Sequence, residues 1–180
     1  MAKSLVPVIE TARLRLRSHT KEDFAASCAL WGDPKVTHYI TPKPLTAEDV
    51  WSRLLRYAGH WEWLRFGFWA VEEKMSGQFV GEMGFAEYKR EIIPPLHGIP
   101  ELGYVLASPF HGRGYAREAV SAIVSWGDEH FHNARTVCLV SPDNHISLRL
   151  AEKCGYREFR ETSYKGQPTV LLERVGGRLK

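Results

Sequence analysis

One stretch decides the fold of this chain: Glu101-Leu-Gly-Tyr-Val-Leu-Ala-Ser-Pro-Phe-His-Gly-Arg-Gly-Tyr-Ala-Arg-Glu-Ala119. Its apolar run from Leu102 to Ala107 predicts a buried strand. Gly112 and Gly114 follow, and from Ala116 apolar residues recur at helical spacing. A strand, a glycine turn and the start of a helix aim free backbone N–H groups at one point, where the helix dipole adds positive charge. The stretch therefore predicts a site for a phosphate or pyrophosphate.

Two common phosphate-binding loops do not fit this stretch. It lacks the Gly-Lys-Ser/Thr ending of a nucleotide triphosphate loop. Arg117 stands where the third glycine of a dinucleotide fingerprint is due. On these residues alone, a glycine turn that merely joins a strand to a helix remains an equal alternative.

Length and composition indicate an ordinary globular protein. The 180 residues suit one domain, residues 1–180, with flexible ends at residues 1–7 and 176–180. Hydrophobic residues make up 44% and charged residues 25%, as is typical of soluble domains. The formal charge of +3 is too small to indicate nucleic acid as the main partner.

The chain also carries no sign of a membrane or an oxidising compartment. No apolar run approaches the length of a membrane span, and the first residues lack the apolar core of a signal peptide. Cys28, Cys138 and Cys154 form no Cys-x-x-Cys pair, so we expect reduced thiols in a cytoplasmic protein. We expect no metal and no membrane partner.

Local patterns on both sides of the central stretch predict an α/β protein with a mixed sheet. Arg13 to Arg17 alternates Arg and Leu, which predicts a strand with buried leucines and exposed arginines. Thr46-Ala-Glu-Asp49 is a capping signature for a long helix, and Glu87 to Pro100 is a loop rich in proline and glycine. Further predicted strands are Phe68–Val71, Gln78–Phe85, Thr136–Ser141 and Thr169–Glu173, and further helical segments are Phe24–Leu30, Val36–Ile40, Ala116–Phe131 and Ile146–Lys153.

Two motifs in the correct order resemble those of the GNAT N-acetyltransferase superfamily. His111-Gly-Arg-Gly-Tyr-Ala116 matches its Gln/Arg-x-x-Gly-x-Gly/Ala pyrophosphate loop except at the first position. Asn144-His-Ile-Ser147, followed by Lys153-Cys-Gly-Tyr156, resembles its second signature. Arg13-Leu-Arg-Leu-Arg17, Trp31-x-Asp-Pro34 and Glu101-Leu-Gly-Tyr104 further resemble the branch of ribosomal-protein-alanine N-acetyltransferases. The resemblance covers Ile9 to Arg174.

The resemblance implies a GNAT-like single α/β domain. Its sheet would be mixed and mostly antiparallel, with splayed central strands and about four flanking helices. The strand Leu102–Ala107 would part from Cys138–Ser141 and leave a notch for a thioester. An N–H near Val105 or Leu106 would polarise the thioester carbonyl, a contribution of about 3 kcal/mol for one such donor.

The same resemblance implies acetyl-CoA as co-substrate and no metal. Arg113 and Arg117 would add positive charge near the phosphates, although Arg117 is as readily a solvated surface residue. Asn144 would hydrogen-bond the pantetheine arm; its alternative role is a helix N-cap. The full set of cofactor-binding candidates is Tyr104, Val105, Leu106, His111, Gly112, Arg113, Gly114, Tyr115, Ala116, Asn144 and Ser147.

The catalytic candidates are Glu101, Glu82 and Ser147. Glu101 is the first candidate for a base, with partnership to an arginine as its alternative. Glu82 either faces solvent or faces the cleft. Many GNAT members place an acidic tyrosine seven residues beyond the asparagine, where this chain has Ala151. Ser147 could reach the leaving sulfur instead, or be an ordinary serine of a first helical turn.

Three hypotheses on function follow from these residues. The first is acetylation of a protein N-terminal amine of the ribosomal-protein type, and the second is acetylation of a small amine such as an antibiotic or metabolite. The third is a sensor that binds acyl-CoA without turnover. We find no acidic cluster that would mark a polycationic acceptor. A monomer and a homodimer are both compatible with the sequence.

Overall fold

The computed structural model describes residues 5–177 and builds them around one sheet. Its strands run in the order β1-β2-β3-β4-β5-β6-β8-β7. All neighbouring pairs are antiparallel except β5 and β6, which are parallel. The strands are β1 Ile9–Glu10, β2 Leu14–Arg17, β3 Phe68–Glu73, β4 Phe79–Ala86, β5 Glu101–Leu106, β6 Arg135–Val140, β7 Arg157–Tyr164 and β8 Gln167–Val175.

Within the described residues, five α-helices cover this sheet, of which one is a single turn. Thr46 begins the longest helix with a capping box: its hydroxyl accepts from the Asp49 N–H at 3.2 Å, and Asp49 accepts from the Thr46 N–H at 2.9 Å. The α-helices are α1 Phe24–Gly32, α2 Pro34–Thr37, α3 Ala47–Leu64, α4 Tyr115–His130 and α5 His145–Lys153. Short 3-10 helices cover Lys21–Asp23 and Ser108–Phe110.

The core lies on both faces of the sheet. On one face α4 packs against β2, β4 and β5, and residues such as Leu16, Met83 and Ile123 are fully buried there. On the other face α1 and α3 bury Trp31 and Tyr57. Residues 80–86 of β4 are therefore buried at every position, since helices cover both of its sides.

The helix α5 ends as its glycine predicts. Gly155 has φ +89°, in the left-handed region that glycine adopts without strain. Its N–H donates to the Glu152 carbonyl at 3.0 Å, and the Tyr156 N–H donates to the Ala151 carbonyl at 3.1 Å. These two bonds form a Schellman motif, which turns the chain towards β7.

The structure differs from the sequence-based elements at a few places. The helical turn expected at Val36–Ile40 is Pro34–Thr37, because Asp33 caps it through the Lys35 N–H at 2.9 Å. Of the two ends expected to be flexible, residues 1–4 and 178–180 lie outside the described residues. Pro7 and Gly176 belong to the same predicted ends. The Pro7 carbonyl accepts from the Trp69 indole at 2.8 Å, and Gly176 is buried.

Candidate active site

Strands β5 and β6 part soon after they meet. The parallel register pairs only Glu101 with Val137 and Leu102 with Cys138, although both strands continue beyond these residues. Beyond these two pairs the strands diverge and leave a notch between residues 103–106 of β5 and residues 139–140 of β6. The predicted splay of the central strands is confirmed. A notch of this kind exposes strand backbone to a ligand without breaking the rest of the sheet.

The backbone of β5 decides which amides reach the notch. The Pro100 carbonyl accepts from the Val137 N–H at 3.0 Å, so the backbone at residue 100 faces β6. Backbone groups of successive strand residues point to opposite sides, and hence the peptide groups of Tyr104 and Leu106 face the notch. The Ala107 N–H donates to the Val80 carbonyl of β4 at 2.9 Å, in keeping with this alternation. The Val105 N–H therefore points to β4, and the Leu106 amide is the one of the two predicted donors that faces the notch.

The glycine loop lies directly beyond β5 and leads into α4. Gly112 and Gly114 have φ +73° and +79°, and both are exposed. A Cβ at Gly112 would meet no atom within 4 Å, so the backbone is open to a ligand on that side. The free N–H groups of the first turn of α4 begin at Tyr115, immediately after this loop. Loop and helix start together fit a diphosphate, whose charge they complement.

Two side chains of the loop turn away from that position. The Arg113 guanidinium donates to Glu73 at 3.1 Å and to the Tyr115 hydroxyl at 2.9 Å, and Tyr115 also donates to Glu73. Hydrogen bonds from Ser76 and Tyr115 lower the pKa of the Glu73 carboxyl. Arg113 is therefore paired with Glu73, although 47% of its side chain stays exposed. That it adds positive charge near the phosphates stays a prediction.

His111 contacts the end of β5. Its Nε2 donates to the Leu106 carbonyl at 2.8 Å, since that carbonyl can only accept. The side chain thus fastens the loop to the strand and leaves the Leu106 N–H for the notch.

Arg13 is a loop-contacting residue that the sequence analysis missed. Its guanidinium donates to the Arg113 carbonyl at 2.9 Å and to Glu118 at 2.7 Å, and it lies 4.3 Å over the Tyr115 ring. Arg13 therefore holds the loop from the side of β2. The alternating Arg-Leu pattern could only predict an exposed arginine, because its partners lie about a hundred residues further along the chain.

Helix α5 closes the other side of the notch. The Asn144 side chain accepts from the Ser147 N–H at 3.1 Å and so caps the helix, as its alternative role predicted. The Ser147 hydroxyl lies 2.8 Å from the Tyr104 hydroxyl, and the Tyr104 hydroxyl also lies 3.0 Å from the Ser147 carbonyl. Tyr104 thus spans from β5 to α5 and fixes Ser147 beside the notch.

The environment keeps the Tyr104 phenol protonated. Burial raises its pKa well above the usual value for tyrosine. Burial also raises the pKa of the nearby Cys138 thiol, to about 12. Ala151, which stands where many GNAT members have a tyrosine, is completely buried. With alanine at that position, the Tyr104–Ser147 pair is the hydroxyl pair that links β5 to α5.

Glu82 is completely buried, which excludes the first of its two alternatives, that it faces solvent. Its carboxylate accepts from Ser27 at 2.7 Å, and from the Trp31 indole and the Tyr57 hydroxyl at 2.9 Å each. The physical reason is that α1 and α3 cover this face of β4. His19 lies 3.8 Å away, and burial lowers the pKa of its imidazole.

Glu101 lies at the base of the notch and is paired with an arginine. Both of its oxygens accept from the Arg90 guanidinium, each at 2.7 Å. Arg90 also stacks over Tyr88 and Tyr164, at 4.5 and 4.7 Å from the ring centroids. The alternative role given to Glu101 is thus realised, although its position at the point where β5 and β6 part also suits a base.

Two surface hollows lie away from the notch. One of about 350 Å³ lies beside Gly155 and Glu158, and one of about 600 Å³ lies between Ile92 and Thr162. Neither hollow is lined by the glycine loop or by β5. The described residues contain no group of three or more His, Cys, Asp or Glu side chains suited to a metal ion. Among the same residues, no helix is long and apolar enough to cross a membrane.

A notch between parted parallel strands, followed by a glycine loop at a helix start, defines the class of acyl-CoA-dependent acetyltransferases. Comparison with known proteins agrees: residues 13–157 match the acetyltransferase (GNAT) domain family. The chain belongs to this family and is an N-acetyltransferase.

Individual relatives cover nearly the whole chain. The N-acetyltransferase YoaA of Bacillus subtilis is 28% identical over 155 residues, 86% of this chain and 85% of YoaA. A Bordetella pertussis protein assigned to the GnaT acetyltransferases is 31% identical, with a TM-score of 0.82 over 94% of this chain and 99% of its own.

Two more distant structures share the fold alone. They are a ribosomal-protein-S5-alanine acetyltransferase of Vibrio fischeri and a spermidine N-acetyltransferase of Vibrio cholerae, the latter in complex with CoA and spermine. Each is 18% identical to this chain. The Vibrio fischeri structure has a TM-score of 0.75 and covers 97% of this chain and 99% of its own. The Vibrio cholerae structure has a TM-score of 0.72 and covers 91% of this chain and 96% of its own.

Proposed function

We propose that this enzyme transfers the acetyl group of acetyl-CoA to the N-terminal α-amine of a protein. The observation that carries the proposal is the parting of β5 from β6 beside the glycine loop, because it offers strand amides and helix amides to one extended ligand. The fold it shares with a ribosomal-protein-S5-alanine acetyltransferase supports the choice of a protein acceptor.

The residues present fit acetyl-CoA. The backbone from His111 to Ala116 would hold the diphosphate, and the peptide groups of Tyr104 and Leu106 would pair with the pantetheine arm. Asn144 uses its side-chain oxygen to cap α5, which leaves its amide N–H groups as donors to that arm. When bound, acetyl-CoA supplies an activated acyl carbon: the N–C bond forms, the C–S bond breaks, and a proton passes from the amine to the sulfur.

An α-amine needs little help to react. With a pKa of ~7.7–8.0, about a tenth of it is neutral at pH 7, whereas a lysine side chain at ~10.4 is under a thousandth neutral. The difference corresponds to ~3.5 kcal/mol in favour of the α-amine. A single carboxylate, acting directly or through water, is sufficient for such an acceptor.

Glu101 is the base that we favour over Glu82. Glu82 is completely buried and already accepts three hydrogen bonds. Glu101 retains 8% exposure and lies where the notch begins. On the opposite side, the Ser147 hydroxyl, 2.8 Å from that of Tyr104, would donate a proton to the leaving sulfur.

Replacing Glu101 with glutamine is expected to lower kcat/KM about 10² fold, the lower end of the usual range for a general base. The matched control is Arg90→Gln, which breaks the same ion pair and leaves the carboxylate in place. If Glu101 serves only as the partner of Arg90, steady-state assays with a neutral peptide will show equal losses for both variants.

Acetylation of a small amine is the second candidate function, favoured by the fold shared with a spermidine N-acetyltransferase. Thiol release from acetyl-CoA, measured against a panel of peptides with free N-termini and a panel of small amines, separates the two. We expect sustained release with peptides. Release with small amines alone would contradict the protein acceptor, and binding of acetyl-CoA without release from any acceptor would indicate a sensor.

A further inference from the structure

A guanidinium without a carboxylate partner lies on the face of the sheet opposite α4. The Arg53 side chain stacks 3.9 Å over the Trp31 ring, and its Nη1 donates to the Tyr57 hydroxyl at 3.5 Å. Its Nε is buried and makes no hydrogen bond with any residue in the range 5–177. A guanidinium N–H buried without an acceptor is costly, so its retention here points to a ligand that accepts from it.

Arg53 belongs to the acceptor side of the notch. Trp31, over which it stacks, packs in the same cluster as Val105 of β5. Val105 in turn lies opposite Glu82 in the β4–β5 register. Because the glycine loop enters α4 and α4 packs on the other face of the sheet, an acceptor has this face from which to approach the notch.

Two more arginines surround the neighbouring Tyr88. Arg56 and Arg90 lie 5.2 and 4.5 Å from the centroid of its ring. Arg56 is exposed and, like Arg53, has no carboxylate within salt-bridge distance among the described residues. We name Arg53, Arg56 and Arg90 the arginine cluster.

The carboxylates near the arginine cluster leave two of its guanidinium groups without an ion pair. Glu101 is held by Arg90, and Glu82 is held by its three neutral donors. Glu87, at the start of the same loop, is paired with Lys89. Glu82, and Asp49 one helical turn before Arg53, attract the Arg53 guanidinium from beyond ion-pair distance. Arg53 and Arg56 are thus the two members of the cluster that form no ion pair with any described residue.

We propose that Arg53 and Arg56 bind a carboxylate of the acceptor, so that the enzyme prefers protein N-termini followed by acidic side chains. This inference rests on the proposed function and specifies its substrate. A planar guanidinium suits a carboxylate in paired hydrogen bonds, and a partly desolvated site strengthens the attraction. The same charges repel a polycation, in contrast to what a polyamine acceptor requires.

The test uses three peptides that differ only in residues two to four, which are glutamates, glutamines or lysines behind the same N-terminal serine. With saturating acetyl-CoA at low salt, we expect kcat/KM to fall about 10-fold from glutamate to glutamine and about 10-fold again to lysine. The preference should shrink to a few-fold at ~1 M salt, where the Debye length is ~3 Å.

Charge reversal at the surface gives the decisive comparison. Arg56→Glu is expected to invert the preference, so that the lysine peptide becomes better than the glutamate peptide. Arg15→Glu makes the same change of net charge on β2, where Arg15 pairs with Glu10, and should leave the preference unaltered. Arg53→Gln should weaken the preference without inverting it, and thermal melting checks that each variant is folded.

The possible outcomes separate this inference from the function on which it rests. Equal use of all three peptides, or a preference for lysine in the unmodified enzyme, would overturn the arginine cluster as a specificity site and leave N-terminal acetylation standing. Thiol release with a free amino dicarboxylic acid and with none of the peptides would support carboxylate binding and contradict the protein acceptor. If the Arg56→Glu variant shows the same preference among the three peptides as the unmodified enzyme, the inference is also overturned.

Discussion

Aspartate in place of Gly112 is expected to raise the KM for acetyl-CoA about 30-fold, because it sets a negative charge beside the diphosphate site. Two like charges about 5 Å apart repel by ~1–3 kcal/mol at effective dielectric constants between those of water and a protein surface. A value of about 2 kcal/mol corresponds to about 30-fold in affinity. The side chain has room, since a Cβ at Gly112 meets no atom within 4 Å.

Asparagine at the same position is the matched control. Asparagine and aspartate have the same shape, and both tolerate the left-handed backbone that Gly112 adopts at φ +73°. Steady-state kinetics in acetyl-CoA should therefore show only a few-fold rise for Gly112→Asn. Added salt should reduce the effect of aspartate and not that of asparagine. Equal KM values for the two variants would mean that no diphosphate lies against this loop.

Removal of the Ser147 hydroxyl is expected to lower kcat about 10² fold, the lower end of the range for acid–base catalysis. The reason is that its hydroxyl lies at the notch, oriented by the Tyr104 hydroxyl at 2.8 Å. Tyr104→Phe should lower kcat about 10-fold, since it leaves Ser147 in place but without its orienting partner. The double variant should lose no more than Ser147→Ala alone, because the two hydroxyls act through one proton.

A structural explanation of these losses can be separated from a catalytic one. Tyr156→Phe is the matched control: its hydroxyl is likewise buried, hydrogen-bonded to Thr136 at 2.8 Å, and lies in the core rather than at the notch. It should lower the melting temperature as Tyr104→Phe does and leave kcat unaltered. Calorimetric titration with acetyl-CoA should give similar affinities for all these variants. Additive losses in the double variant, or an unaltered kcat for Ser147→Ala, would remove the pair from the mechanism.

Only the features of the site that follow from local backbone conformation could be predicted from the sequence. The glycines at 112 and 114, the capping residue Thr46 and the turn at Gly155 encode their conformations within a few neighbouring residues, and all are found as expected. The parting of β5 from β6 was predicted from the family resemblance, and no local sequence pattern indicated it. The sequence could not decide between the Val105 and Leu106 amides, because the direction of each peptide group depends on which strand lies on which side.

Side-chain partners explain the remaining differences. Arg113 bonds to Glu73, which lies 40 residues before it, and Glu82 accepts from Ser27, which lies 55 residues before it. A strand pattern could not distinguish a carboxylate in solvent from one beneath two helices. That Arg53 forms no ion pair with any described residue is likewise visible only when the positions of Glu82 and Glu101 are known.

The family, the order of the elements and the glycine loop that we expect to receive a diphosphate could all be inferred from the sequence, because each is encoded by residues close together in the chain. The three-dimensional fold was needed to show which amides face the notch, which hydroxyl lies beside that of Ser147 and which guanidinium groups form no ion pair. These features depend on contacts between residues far apart in sequence, and burial then sets the strength of each contact.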